Sequence, residues 1–386
     1  MHPLRDQVAI AGIGYTEFSK DSGVSTMTLA CRAILAAIAD AGVSADDIDG
    51  IATHRVGDSI LPAVLAQALG IRELKWYVDQ FGGGSTSHSV VGTAALAVNA
   101  GIADTVVCYR AINARSEFRM GGTGSPLVDA VETQYQAPYG YFAPPQQFAM
   151  AAREHMLKYG TSHEQLGAVA VTQRSNAVKN ELALMRRPIT LDDYLASRWV
   201  VEPFRLLDCC LETDGAVALV LTSTQRAQDL RHVPVLISGA GWGGGHTLYA
   251  NQQPDFTLTA AREMAPRLWS MAGLGPGDVD VAEIYDCFSY SVLVQLEDYG
   301  FCEKGESGPF VESGATAAGG PLPVNTHGGF LSEGYVHGMN HVCEAVSQLR
   351  GDACARQVPG AEVALSTSQP GYVAGNTSAL VLRRGA

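Results

Sequence analysis

The chain is poor in lysine. Of its 386 residues five are Lys, at Lys20, Lys75, Lys158, Lys179 and Lys304, and Asp plus Glu outnumber Lys plus Arg by 39 to 26. A formal charge of −13 leaves no clustered cations to follow a phosphate backbone, which excludes nucleic acid as a partner. Charged residues make up 17% against 47% hydrophobic ones, so charge-rich disorder is excluded too. No apolar run reaches the roughly 18 residues of a membrane span. The opening "MHPLRDQVAIAGIG" also lacks the apolar stretch of a secretory leader. The eight cysteines are scattered and none forms a CxxC pair, so neither a zinc site nor a disulfide framework is expected. Together these absences predict a cytoplasmic protein with reduced thiols and no membrane span.

What is abundant is glycine, 42 residues, together with apolar runs that end in glycine turns. "VAIAGIGYTEF" from Val8 reads as a strand, and "STMTLACRAILAAIADAGV" as a helix stopped at Gly42. "SADDIDGIATHRV" then supplies a turn and a strand. The unit returns later as "VPVLISGAGWGGG", "LTAAREMAPRLWSMAGL" and "GPGDVDVAEIYDCFS". "AGVSADDIDGI" at Ala41 and "AGLGPGDVDVAEI" at Ala272 match in kind and order, so the chain reads as an internal duplication. The expected division is an N-terminal half over 1–230 and a C-terminal half over 231–386. Each half has a glycine-led helix, "FGGGSTSHSVVGTAALAVNAG" from Phe81 and "HGGFLSEGYVHGMNHVCEAVSQL" from His327. Alternating strands and helices predict α/β layers with these two helices in the middle. A stretch over about 111–198 breaks the repeat. It is rich in aromatics (Tyr135, Tyr139, Tyr141, Phe142, Phe148) and holds a helix around "FAMAAREHMLKYG". It reads either as a lid or substrate wall, or as cover for the core.

"NTHGGFLSEGY", from Asn325 to Tyr335, fits the pattern N-x-x-G-G-x-x-x-x-G-H-P up to its final His-Pro. "EIYDCFS" and "FRLLDCCLETDGAVALVLTS" fit two further segments of the same family. Over nearly its whole length the chain resembles the thiolase superfamily. "GYVHGMNH" and "YDCFS" give it a narrower resemblance, to the lipid-transfer-protein-type aldolases of bacterial steroid degradation. That resemblance implies a duplicated thiolase-like fold layered α-β-α-β-α, with an inserted loop domain. It implies a retro-aldol lyase that cleaves a steroid side-chain β-hydroxyacyl-CoA into a cyclic ketone of the 17-oxo steroid type and a short acyl-CoA such as propionyl-CoA. It also implies a homodimer core in a heterotetramer with an OB-fold and zinc-ribbon acyl-CoA-binding partner. No cofactor is then expected beyond the CoA of the substrate, and any zinc belongs in the partner.

The departures from the family pattern carry the chemistry. The resemblance puts the thiolase nucleophilic Cys at Gly84, which has no side chain to form an acyl-enzyme. The motif histidine is replaced by Tyr335, and the Asn or His of the other motif by Tyr285. The second catalytic Cys falls near Gly371 or Tyr372. A retro-aldol step needs a base, an acid and a site for the developing enolate, and no nucleophile. Tyr285 and Tyr335 are therefore the implied acid/base pair, with neither role assigned. Tyr335 is expected at a helix start, where the dipole favours its phenolate modestly, and a relay is expected in place of a free phenolate. Gly84, His88 and His337 are expected to bind substrate. Gly84 either opens a helix N-terminus to negative charge or merely permits a tight turn. Ser85 and His88, three apart, could share a helix face as nucleophile and base. His327, His337, His341 and Glu344 could suggest a metal site, but "HGMNHVCE" lacks the H-E-x-x-H arrangement, and no metal is expected. Two other readings stay open: an acyltransferase-like thiolase, and a non-catalytic lipid-binding subunit.

Overall fold

The computed structural model describes residues 2–117, 134–135, 137–141, 143–244, 255–372 and 375–386. Phe142, residue 136 and residues 118–133 of the expected lid lie outside them. Ser25 starts the first helix, Thr26–Ala41, by accepting the Thr28 N–H at 3.2 Å. The helix stops at Gly42 with φ 75°, a left-handed conformation that costs glycine nothing. In the following turn, Ala45–Asp47, the Asp47 carboxylate accepts the Ser44 N–H at 2.8 Å. Helix Ala260–Ala272 ends in the same way at Gly273 with φ 67°. In the turn Pro276–Asp278, the Asp278 carboxylate accepts the Gly275 N–H at 2.7 Å. The two segments that match in sequence thus form one local structure built twice.

The described strands are β1 (Val8–Tyr15), β2 (Gly50–Arg55), β3 (Trp76–Phe81), β4 (Thr105–Asn113), β5 (Trp199–Val201), β6 (Phe204–Arg205), β7 (Asp214–Ser223), β8 (Val235–Gly244), β9 (Val281–Glu283), β10 (Val363–Thr367) and β11 (Asn376–Arg384). Nine of them hydrogen-bond in the order β3-β2-β4-β7-β1-β8-β11-β10-β9, while β5 and β6 pair separately. Strand β2 runs parallel to β3 and β4, as β9 does to β10, and the remaining pairs are antiparallel. β1 and β8 join the two halves through Ala9–Leu236 and Ile10–Val235.

Helix Ser87–Asn99 touches β2, β4 and β7 on one side and β8 and β11 on the other. Helix Met339–Arg350 likewise touches β1 and β7 as well as β9, β10 and β11. Nearly every residue of the second helix is buried, as a helix covered on all sides requires. Helix Thr26–Ala41 packs on β1, β4 and β7 from outside, and Ala260–Ala272 packs on β8 and β11. The layers therefore run α-β-α-β-α, with both glycine-led helices at the centre. In the inserted stretch the expected helix is Pro144–Tyr159.

Candidate active site

Tyr285 follows β9 and is held by its backbone. Its N–H donates to Thr367 Oγ1 at 3.0 Å. Its carbonyl accepts from Gln295 Nε2 at 2.8 Å and from Ser291 Oγ at 2.9 Å. The ring meets Phe330 edge-to-face at 4.8 Å. Next in sequence, Asp286 reaches across to the second tyrosine's segment. It accepts the N–H groups of Phe330 at 3.0 Å and Leu331 at 3.1 Å, at the start of the short helix Gly329–Ser332. His341 Nε2 bonds to the same carboxylate at 3.1 Å, and its ring stacks on Phe330 at 4.0 Å. One carboxylate thus links the loop carrying Tyr285 to the stretch leading into Tyr335.

The two hydroxyls meet. Tyr285 Oη lies 2.5 Å from Tyr335 Oη. Tyr285 is 1% exposed, whereas Tyr335 is half-buried. Tyr335 is not at a helix start, contrary to expectation. It lies between Gly329–Ser332 and Met339–Arg350, four residues before the longer helix begins. Burial, followed by the neighbouring Tyr335, raises the Tyr285 phenol well above its ordinary value. Burial, followed by the Cys210 and Cys287 thiols, does the same to Tyr335. Both are phenols at neutral pH, so desolvation outweighs the modest dipole effect expected from the sequence.

Gly84 lies against the pair, in the turn before helix Ser87–Asn99. A Cβ on Gly84 would overlap Tyr285 Oη and sit 2.8 Å from Cε2 of that ring. Its lack of a side chain leaves room for the tyrosine, and its φ is not left-handed. His337 adjoins the site with its ring 5.0 Å from Tyr335, and its Cε1–Nε2 edge faces Gly83. His88, expected at the substrate, stands behind the wall instead. It is 0% exposed, with its ring nitrogens engaged by Ser87 Oγ at 2.9 Å and Ser366 Oγ at 2.7 Å. It does not meet Ser85, whose carbonyl accepts from Ser368 and Ser378, so the Ser85–His88 pairing does not form.

Two thiols stand near the phenols. The Cys210 N–H donates to the Cys287 carbonyl at 3.0 Å. Burial lifts both thiols well above the usual range, which keeps them protonated and unlike an activated nucleophile. Tyr372, near the family's second Cys position, is buried and donates to the Phe256 carbonyl at 2.6 Å. The histidines that could have suggested a metal cluster separate. His337 turns to Arg110, while His327 and His341 bond to each other at 2.9 Å. Glu283 joins these two, its carboxylate 3.0 Å from His327 Nδ1. The three side chains could converge on an ion, although His341 and His327 already hold one another. A cavity of about 160 Å³ lies on the Asp58 side of Arg110, lined by Asp58, Ser59, Asn113 and Glu117.

A family model described as Thiolase C-terminal domain-like matches residues 241–384. The chain is 43% identical to the 17-hydroxy-3-oxo-4-pregnene-20-carboxyl-CoA lyase of Mycobacterium tuberculosis, over 98% of this chain and 100% of the relative. It is 45% identical to a steroid side-chain-cleaving aldolase of Thermomonospora curvata, over 91% and 92%. This chain belongs to the thiolase-like steroid side-chain-cleaving aldolases. A solved structure of an Ltp2-ChsH2(DUF35) aldolase superposes with a TM-score of 0.93 at 43% identity, covering 99% of this chain and 98% of that one. In this aldolase-family chain the site also contains residues the sequence reading did not single out: Arg110, fully buried on β4, and its ion-pair partner Asp58. An arginine within the apolar run "TVVCYRAIN" was the available signal, because a buried cation demands a partner. No helix among the described residues is long and apolar enough to cross a membrane.

Proposed function

We propose that this chain is a carbon–carbon lyase that cleaves a steroid side-chain β-hydroxyacyl-CoA by retro-aldol chemistry. The products are a cyclic ketone of the 17-oxo steroid type and a short acyl-CoA such as propionyl-CoA. Tyr285 and Tyr335 form the acid/base pair. The observation carrying this is the 2.5 Å approach of the two hydroxyls where a side chain at Gly84 cannot fit.

The reaction is proton-neutral. The β-hydroxyl gives up its proton and its oxygen becomes the ketone. The Cα–Cβ electrons pass to the thioester enolate, and a proton returns at Cα. Two linked phenols suit that exchange, since one can accept a proton as the other releases one. Neither must persist as phenolate, which agrees with both pKa values being raised. Gly84 in place of a thiol argues against the acyltransferase reading. The lyase acts with an OB-fold and zinc-ribbon DUF35-type partner around a homodimer core. That partner supplies much of the CoA site, in keeping with the five lysines of this chain. Mixing the chain and such a partner with a hydroxyacyl-CoA tests the reading. Ketone and acyl-CoA are expected, while thiolysis products, or no turnover with partner present, would overturn it.

A further inference from the structure

We propose that the buried Arg110–Asp58 pair locks His337 as its Nε2–H tautomer, and that this N–H binds the thioester oxygen as it becomes an enolate oxygen. This rests on the lyase reading and adds the electrostatic group that the two phenols do not provide. Arg110 Nε donates to His337 Nδ1 at 3.0 Å and Arg110 Nη2 approaches the same atom at 2.7 Å. A guanidinium has only donors and does not lose its proton, so Nδ1 must offer its lone pair and the proton must sit on Nε2. Asp58 pairs with Nη2 of the same guanidinium, which holds the cation in place where Arg110 is 0% exposed.

The free edge is aimed at the site. A Cβ on Gly83 would lie 3.9 Å from both Cε1 and Nε2 of His337, beside the Gly84 backbone that meets Tyr285. Among the described residues no hydrogen bond engages Nε2. His337 also adopts φ 52°, a left-handed conformation that a non-glycine residue rarely takes and that gathers at functional sites. The groups facing it are Arg110, Asp58, the His54 ring at 6.0 Å and the Tyr335 ring at 5.0 Å. Burial and Arg110 push the His337 pKa down to about 3, with Asp58 opposing, and His54 is lowered by burial and the same arginine. His337 therefore stays a neutral donor across the working range. A neutral imidazole can polarise a carbonyl in this way.

Two experiments test this. The full-length chain with 15N-labelled histidine, the His337 signals assigned by their loss in His337→Gln, is read by NMR between pH 5 and 8. The expected spectrum is one neutral Nε2–H tautomer throughout; an Nδ1–H tautomer, or titration near 6.5, would overturn the lock. In the lyase assay with partner, His337→Phe should lower kcat by about 10²–10³ with KM little changed, the loss seen when an oxyanion donor is removed. His337→Gln, with an amide N–H and the same backbone demand at this φ, should recover at least about tenfold of that loss. Turnover of His337→Phe within about threefold of wild type sinks the donor role and leaves the lyase reading standing. A wild type that cleaves nothing sinks both, and the NMR result then concerns the tautomer alone.

Discussion

Replacing Gly84 tests the site most directly. An alanine there puts a Cβ on top of Tyr285 Oη and 2.8 Å from its Cε2, closer than side chains approach in folded proteins. Tyr285 has little freedom to yield. Thr367, Gln295 and Ser291 hold its backbone, and Phe330 closes on its ring. Overpacking of this kind costs about 1–3 kcal/mol, which lowers melting by roughly 1–4 °C for a chain of this size. The ring must also tilt, parting the two hydroxyls, and a displacement of about 1 Å in such a group costs about 10²-fold in rate. Gly84→Ala should therefore melt a few degrees lower and lose most lyase turnover. Gly84→Cys should lose as much without gaining thiolysis. Gly83→Ala is the control for melting, because a Cβ there meets nothing closer than 3.9 Å. Assays are scanning calorimetry and release of ketone and acyl-CoA with the partner present. If Gly84→Ala melted like wild type and turned over within about threefold of it, the steric reasoning would be wrong.

Tyr335→Phe and Tyr285→Phe should each cut kcat by about 10²–10⁴, while the half-buried Tyr335→Phe loses only about 0.5–1.5 kcal/mol in a denaturant titration. Because both phenols are raised, kcat should show no loss from their ionisation below about pH 10, and an earlier basic limb would count against the pair. His337 is held at about 3 against an ordinary value near 6.5, so its neutral form stabilises the fold above about pH 6.5. That contribution drains away as pH falls towards 3, at up to about 1.4 kcal/mol per pH unit, and His337→Gln should flatten the slope in denaturation midpoints measured from pH 7 to 4. Burial and Glu344 push Glu283 up to about 8 from an ordinary 4.5, so its protonated form is the one the fold favours, and the stability this gives is full below about pH 4.5 and drains away as pH rises to 8. Glu283→Gln, which mimics that form, should match wild type near pH 4, below the ordinary value of 4.5, and exceed it at pH 8 and above.

The duplication was legible because the same cap-and-turn chemistry is written twice, at Gly42–Asp47 and at Gly273–Asp278. The tyrosine pairing was legible only through the resemblance, since nothing in local spacing brings residues 50 apart to 2.5 Å. Arg110 was hidden by its setting. Its partners lie 52 and 227 residues away, and its strand otherwise reads as plain core. Helix-start reasoning misplaced Tyr335, because Gly338 with φ 97° begins the helix later than the apolar pattern suggests. His88 was misjudged for another reason: proximity in sequence to Ser85 said nothing about Ser366, which claims it from β10.

The site draws its parts from both copies of the repeat. Gly84 and Arg110 come from the first, and Tyr285, Tyr335 and His337 from the second, pressed together where the two central helices lie between the β layers. Neither copy holds the complete set of groups that the proposed lyase reaction uses. A gene cut at the seam would therefore encode one fragment with proton carriers and no socket, and another with a socket and nothing to fill it.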